Sequence, residues 1–280
     1  MNFFDLHCDT ATECYRMNTD LNCDTLAVTY KAEKKFDKWC QTFAIFVNDV
    51  VKNPFEYYKT VFSFFRKKLK DDINAVFTIE NSKVIEKDIS RLELLKSQGI
   101  KAITLTWNQE NYVASGVDAV GGLKPFGREV IREMNNLKIA CDLSHLNEKS
   151  FFDSLKVADY PYASHSCCKY ICDHKRNLSD TQLKEIAEKG GIIGICLYPE
   201  FLGSNNVFEQ VYRNICHLLH LGLENNISIG TDFDGASMSP WLSKITQIQD
   251  LRDFLERKGL RSQLLEKIFF ENAINFFLRL

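Results

Sequence analysis

The sequence predicts a single (β/α)₈ barrel of the TIM type spanning residues 1–280. Short β-rich runs alternate with amphipathic segments from one end of the chain to the other, and no Gly/Pro/Ser-rich linker divides them. Strands that alternate with helices pair in parallel. Eight such strands in a chain of this length favour a closed barrel over the main alternative, a doubly wound open sheet.

Eight runs rich in β-branched and aromatic residues are the candidate strands. They are residues 2–8, 41–47, 73–79, 100–107, 138–145, 160–166, 191–198 and 227–233. The segments between them carry apolar residues at three- and four-residue spacing, which is typical of helices packed on a core. The candidate helices are residues 54–70, 86–98, 124–136, 147–156, 179–189 and 206–222, with further helix over 247–280.

A local signal sharpens one of these assignments. Ser179 stands where a helix N-cap is expected, directly before the apolar positions Leu183 and Ile186. Residues 11–40 give no clear pattern of either kind, and we expect a long loop over the mouth of the barrel there.

Composition excludes several classes of function. The chain is 45% hydrophobic and 26% charged with a net charge of −2, so it has no electrostatic basis for binding nucleic acid or an anionic membrane. The basic run at 66–70 fits a solvated helix face. No apolar run reaches the roughly 18 residues of a membrane span. The first strand begins at about Asn2, which leaves no room for a signal peptide. We therefore expect a cytoplasmic protein whose ten cysteines are free thiols.

Unusual polar residues follow the predicted strands at their carboxyl ends. In a barrel these ends meet at one rim, where the chemistry of such folds is found. The residues are His7 and Asp9 after the first strand, Glu80 after the third, Trp107 and Asn108 after the fourth, His145 after the fifth, His165 after the sixth, and Asp232 and Asp234 after the eighth.

These residues predict a metal site. Because side chains alternate along a strand, His7 and Asp9 share a face and Cys8 takes the other. Glu80, His145 and His165 can complete the site, and imidazole with carboxylate suits zinc and similar ions. Each residue taken alone is more simply explained as a core, cap or turn residue. Such roles do not explain why all of them fall at the same rim.

Three other polar residues are assigned no direct role in the metal site. His217 and His220 fall in a helical pattern and are interpreted as ordinary helix residues. Asp142 lies on the wrong strand face to be a ligand. We therefore expect it to pack behind the site or to support a ligand.

Seven motifs in order along nearly the whole chain resemble those of the membrane dipeptidase, or renal dipeptidase-like, metallopeptidases. They are DLHCDT, TIEN, LTWNQEN, DLSH, SHSCCKYICDHKRNLSD, IGTDFDG and ENAINFF. The fifth is the most specific, because it resembles the family's S-H-S…R-N-x-x-D signature.

The resemblance implies a zinc-dependent barrel that hydrolyses dipeptides with a free C-terminal carboxylate through a hydroxide bridging two metal ions. Carried over by position, His7 and Asp9 would bind one Zn²⁺. His145 and His165 would bind the other, and Glu80 would bridge the two ions.

The same resemblance implies roles for residues outside the ligand set. Asp232 would handle protons, and Arg176 would hold the substrate's terminal carboxylate, which suits a guanidinium fork. Trp107 and Asn177 are expected to contact substrate, and His174 to shape the same segment as Asn177. The resemblance further suggests a bacterial cytosolic member and a possible homodimer, because family members are often dimers.

The chain departs from the family pattern at two places. Trp107 stands where the best-known members carry a histidine, and an indole offers one donor and no acceptor. Oxyanion stabilisation would then rest more on zinc. Asn81 and Ser82 follow Glu80 in place of the usual glycines, so the path of this loop is expected to differ.

Two other interpretations compete with a dipeptidase. One is a different binuclear hydrolase on the same barrel, acting on a lactone, cyclic amide, β-lactam or phosphotriester, in which a carboxylated lysine often bridges the metals. No lysine ends the third strand here. The other is a barrel that has lost activity and serves as a binding protein, for which Trp107 is the support.

Overall fold

The computed structural model describes residues 1–70 and 73–280, and its strands form a closed parallel barrel in chain order. The barrel closes where β8 pairs with β1 through Asp5 and Ile229. The strands are β1 (Asn2–Cys8), β2 (Lys38–Phe46), β3 (Asn74–Glu80), β4 (Ile100–Thr104), β5 (Ala140–Asp142), β6 (Pro161–Ser166), β7 (Ile193–Ile195) and β8 (Ile227–Ile229). The predicted barrel is confirmed.

Helices separate the strands and form the outer layer. They are α1 (Thr10–Arg16), α2 (Pro54–Lys68), α3 (Arg91–Ser97), α4 (Pro125–Asn136), α5 (Glu148–Leu155), α6 (Asp180–Glu188), α7 (Pro199–Leu202), α8 (Val207–His220), α9 (Ile248–Arg257), α10 (Ser262–Glu266) and α11 (Asn272–Phe277). A π-helical turn, Lys267–Glu271, joins the last two. This turn and α11 pack against β1 and β8. Across the described ranges, no helix has both the length and the apolarity that crossing a bilayer requires.

Four strands end three or four residues earlier than their apolar runs suggested. The expected strands 100–107, 138–145, 191–198 and 227–233 stop at residues 104, 142, 195 and 229. His145 and Asp232 adopt φ values of 69° and 62°, a left-handed conformation that cannot continue a β-ladder. Trp107, His145 and Asp232 therefore lie in the loops that follow the strands rather than on the strands themselves.

One helical assignment and the expected loop at 11–40 also need correction. The helix expected over 86–98 begins only at Arg91, because Glu86 and Lys87 have positive φ values of 55° and 84°. The segment 11–40 contains α1 and a 3₁₀ helix, Tyr30–Lys34, rather than a loop alone. The predicted start of α6 is confirmed: the Ser179 hydroxyl accepts from the Gln182 amide at 3.3 Å in a reciprocal capping box.

The cysteines are free thiols, as expected. Seven of the ten are buried, namely Cys8, Cys14, Cys40, Cys141, Cys167, Cys168 and Cys196. Burial raises their pKa values, to about 12 for Cys40 and Cys168. These thiols serve as small core residues.

Candidate metal centre

A cavity of about 810 Å³ opens at the carboxyl ends of the strands. It brings most of the predicted site residues together. Those on its wall are Asp9, Glu80, Trp107, His145, His165, Arg176 and Asp232. His7 is buried beside them, with its Nε2 atom 3.5 Å from Asp9 Oδ2 and 3.3 Å from Glu80 Oε2.

Two overlapping groups of side chains offer ligand atoms within 4.8 Å of one another. One group is His7, Glu80 and His165, and the other is His7, Asp9 and Asp232. Every member is buried. The overlap at His7 shows one continuous cluster that has more donor atoms than a single cation needs.

Glu80 lies at the centre of this cluster. Its Oε1 atom is 3.0 Å from His145 Nε2, and its Oε2 atom is 3.3 Å from His7 Nε2. The two oxygens thus face one imidazole from β1 and one from the loop that follows β5. Burial alone would raise the pKa of Glu80, but the adjacent imidazoles of His145 and His7 outweigh it and hold the pKa well below its usual range.

Neighbouring groups determine which nitrogens of two imidazoles carry protons. His145 Nδ1 lies 2.9 Å from the Asn108 side-chain oxygen, which can only accept, so Nδ1 carries the proton. His165 Nδ1 lies 2.7 Å from the Ser164 hydroxyl, which donates its own proton to Asp142 at 2.6 Å. Nδ1 of His165 is therefore also the donor. Both neutral rings present an unprotonated Nε2 to the cluster, and these two atoms are 2.8 Å apart.

Asp142 supports the cluster from behind, as the sequence predicted. Its Oδ2 atom accepts from the Thr104 and Ser164 hydroxyls, and its Oδ1 atom accepts from the amides of Ser144 and Ser164. The carboxylate fixes the Ser164 hydroxyl, which in turn orients His165. Sequence reasoning missed Ser164 and Asn108 as orienting groups. Ser164 is adjacent to His165, the imidazole that it orients, and that adjacency was the available signal.

Burial shifts the pKa values of these groups in the direction that favours their uncharged forms. It lowers the pKa of His145 to about 4 and that of His165 well below its usual value, with Arg176 contributing to both shifts. It raises the pKa of Asp232 to about 8; His7 opposes this shift, while Asp9 and Glu80 add to it. Burial, followed by repulsion from Glu80, raises the pKa of Asp9 to about 6. Several carboxylates thus crowd one dry site.

The residues present fit a bound divalent cation. His7 Nε2 and Asp9 Oδ1 are buried polar atoms without a hydrogen-bond partner among the described residues, an arrangement that costs free energy unless something binds them. The acceptor atom His145 Nε2 lies 2.8 Å from His165 Nε2 and 3.0 Å from Glu80 Oε1, and a bound cation would relieve the repulsion between these three atoms. Arg176 donates to His165 Nε2 and so relieves it only there. Imidazole nitrogens with carboxylate oxygens are donors that zinc and similar ions accept.

Gly235 leaves space beside this cluster. A Cβ atom at this position would lie 2.1 Å from Asp9 Oδ2 and 2.6 Å from Asp232 Oδ1, far inside van der Waals contact. Glycine at this position therefore lets the loop after β8 pack directly against the two carboxylates.

Arg176 lies on the cavity wall beside the imidazoles. It is 4% exposed, and its Nη2 atom donates to His165 Nε2 at 2.9 Å. Its guanidinium packs 5.2 Å from the ring of Phe201. A buried guanidinium at the edge of the cluster is placed to bind an anionic group entering the cavity.

Asn177, in contrast, is not part of the cavity wall, and its position does not support the expected substrate contact. Its Oδ1 atom accepts from the Cys167 amide, and its Nδ2 atom donates to the carbonyls of Cys172 and Phe201. The amide group is thus occupied in holding the loop that carries Arg176. His174, from the same segment, does line the cavity.

The other histidines lie outside the cluster. His217 is buried in α8, where its Nε2 atom contacts Asp180 at 2.7 Å and its ring stacks on Tyr170 at 4.4 Å. His220 is in the same helix. Both are helix residues, as the sequence indicated.

Comparison with known proteins identifies similar chains. The family model for membrane dipeptidase, peptidase family M19, matches residues 31–279. A protein of Schizosaccharomyces pombe that is described as an uncharacterized dipeptidase is 31% identical over 243 residues, which cover 81% of this chain and 59% of that protein. The chain thus spans less than two thirds of the length of this relative.

Two solved structures share the fold over the whole chain. A dipeptidase described as a metallopeptidase of family M19 has a TM-score of 0.87 at 25% identity, covering 100% of this chain and 98% of its own. A metallopeptidase of Rhodobacter sphaeroides, liganded with a phosphinate mimic of the dipeptide L-Ala-D-Ala, has a TM-score of 0.88 at 22% identity. That comparison covers 100% of this chain and 99% of the other.

Proposed function

The chain belongs to the membrane dipeptidase family, peptidase family M19, and from this premise we propose that it hydrolyses dipeptides with a free C-terminal carboxylate at a site holding two zinc ions. The observation that carries the proposal is the position of Glu80, whose two carboxylate oxygens face the imidazoles of His7 and His145. A carboxylate with this geometry can serve two cations at once.

The ligands divide into two sets around Glu80. His7 and Asp9 are proposed to bind one zinc, and His145 and His165 the other. The buried, unpartnered atoms of His7 and Asp9 support the first set. The converging Nε2 atoms of His145 and His165 support the second. When bound, the two zinc ions would lower the pKa of a water molecule and would act as a Lewis acid on the peptide carbonyl.

Two further side chains of the wall are proposed to act on the substrate. Asp232 accepts the proton of the attacking water and returns it to the leaving amine. Its Oδ1 atom lies 3.8 Å from His7 Nε2, at the edge of the cluster. Arg176 holds the substrate's terminal carboxylate by paired hydrogen bonds. A carboxylate held there limits the chain on that side of the scissile bond to one residue, which explains a dipeptidase rather than an endopeptidase.

Arg176→Ala is expected to raise KM about 10- to 100-fold for dipeptides, because it removes hydrogen bonds to a charged group. For the same dipeptides with an amidated C-terminus, the substitution should raise KM much less. Steady-state kinetics on both series, with metal content as a control for the cluster, measures the difference. An equal rise in KM for the free and the amidated dipeptides would refute the role of Arg176 in binding the carboxylate.

Metal analysis combined with hydrolysis assays tests the function. Purified protein is expected to contain about two zinc ions per chain and to hydrolyse L,L or L,D dipeptides. Activity should disappear with a chelator and return with zinc. Zinc-loaded protein that cleaves no member of a broad dipeptide panel would overturn the proposal.

The competing hydrolases with a carboxylated lysine bridge find no support in the geometry. The bridging role is proposed for Glu80, whose two oxygens face the imidazoles of His7 and His145. The lysine on the cavity wall, Lys175, is half-exposed and pairs with Asp118 across the rim.

A further inference from the structure

We propose that Phe46, Tyr57 and Trp107, which together we call the aromatic wall, bind the side chain of the substrate's N-terminal residue and select large apolar, above all aromatic, residues there. The inference rests on the proposed function, since it assigns a substrate class to the same site. No member of the aromatic wall is a proposed metal ligand or proton carrier.

The aromatic wall is built from three separate elements that all line the cavity. Phe46 ends β2, Tyr57 lies on α2, and Trp107 follows β4. The rings of Phe46 and Trp107 have centroids 5.3 Å apart at 62°, an edge-on arrangement. Each of the three side chains is only partly buried, so its remaining ring surface faces the cavity. Ring edges and faces arranged in this way favour a further aromatic partner.

Trp107 is held by its backbone rather than by its indole. A Cβ on Gly116 would lie 2.1 Å from the Trp107 carbonyl oxygen, which shows how tightly the loop packs. The Asp118 amide donates to the Asn108 carbonyl at 2.8 Å in the same loop. Over residues 1–70 and 73–280, no hydrogen bond engages the indole N–H. The ring is therefore fixed in place while its polar edge remains available to a ligand.

The order of the strands places Phe46, the member of the aromatic wall that ends β2, opposite the strand that precedes Arg176, and it places Trp107, which follows β4, between the two. Arg176 follows β6, and β6 is four strands from β2 in either direction around the closed barrel. The proposed ligand cluster lies between the two sides, and the Trp107 ring is 6.5 Å from that of His145. A dipeptide with its carboxylate on Arg176 and its peptide bond over the cluster thus extends its N-terminal residue towards the aromatic wall.

Size and charge agree with a large apolar side chain at this position. The cavity of about 810 Å³ is much larger than a dipeptide of two alanines needs. The charged residues on this side, Glu13 and Arg16, pair with each other, and the Arg16 side chain is 72% exposed. They lie at the outer rim, so the aromatic wall itself presents no charge. Burial of an aromatic side chain against it supplies binding energy that alanine cannot.

The test compares substrates that differ only in one side chain. The kcat/KM value for Phe-Ala is expected to exceed that for Ala-Ala by at least about tenfold, whereas Ala-Phe gains no such advantage. Trp107→Ala should reduce the Phe-Ala to Ala-Ala ratio at least about fivefold, and Trp107→Phe should restore most of it. The matched control is Trp241→Ala, because Trp241 is 75% exposed and outside the cavity wall. This control should leave the ratio unchanged.

Other outcomes separate the inference from the function it rests on. A Phe-Ala to Ala-Ala ratio near one in the unmodified protein, or a ratio unaffected by Trp107→Ala, would overturn the inference while leaving the dipeptidase intact. A preference for Glu-Ala would also overturn it and point to Arg16. If no dipeptide is cleaved, the function fails. The aromatic wall is then judged by the binding of phosphinate analogues, where the analogue of Phe-Ala must bind at least about tenfold more tightly than that of Ala-Ala.

Discussion

Asp232→Asn is expected to lower kcat for dipeptide hydrolysis by about 10²- to 10⁴-fold, the range that a positioned general acid–base group contributes. Asparagine keeps the size and hydrogen-bonding shape of the side chain but cannot accept and return a proton. Burial raises the pKa of Asp232 to about 8, although His7 opposes this shift. The measurement is kcat on a good dipeptide substrate with zinc in excess.

Metal content decides between two roles for Asp232, because this residue also belongs to one of the candidate ligand groups. A variant that retains its zinc but loses turnover supports the proton role. A variant that loses zinc in proportion to activity shows instead that Asp232 is a ligand. Unchanged turnover with full metal content would exclude both roles.

Glu80→Gln is expected to reduce bound metal from about two ions to less than one per chain and to lower activity by about three orders of magnitude. The substitution removes the one charge that faces two imidazoles, and an amide nitrogen would point at one of those rings. Loss of the cations removes several kcal/mol of transition-state stabilisation. Elemental analysis of the purified variant, beside kcat/KM, measures both effects.

Glu13→Gln is the matched control for this substitution. Glu13 lines the same cavity but pairs with Arg16 at the rim, so the variant should retain the full metal content. If Glu80→Gln binds as much zinc as the unmodified chain, Glu80 is not the bridging ligand, and the proposed division into two ligand sets is wrong.

Much of the fold could be predicted because its signals are local. Alternation of β-rich runs with helical periodicity depends on near neighbours in the chain, and eight repeats of it imply a parallel barrel. Strand ends were less predictable. The apolar runs continue past Thr104 and Asp142, but pairing stops there because the chain turns to form the mouth of the barrel.

Within the site, residue type and position at strand ends were sufficient to select His7, Asp9, Glu80, His145, His165 and Asp232 as neighbours. Partners that depend on distant contacts were not predictable. Asn177 belongs to the same motif as Arg176, yet its amide is used entirely by backbone groups in its own loop and at Phe201. Only the folded chain shows which of two adjacent polar residues faces the cavity.

By itself, the sequence determined the barrel, the rim that carries the chemistry and the identity of the polar residues at that rim. These features follow from periodicity and from the constraint that parallel strands share one carboxyl edge. The tertiary structure alone decided which carboxylate lies between two imidazoles and how Asp142 acts through Ser164 on His165. It also decided that the rings of Phe46 and Trp107, from different parts of the chain, pack edge-on against each other. The physical reason is that distances between loops from different strands depend on how the whole barrel closes, and no local pattern in the chain encodes them.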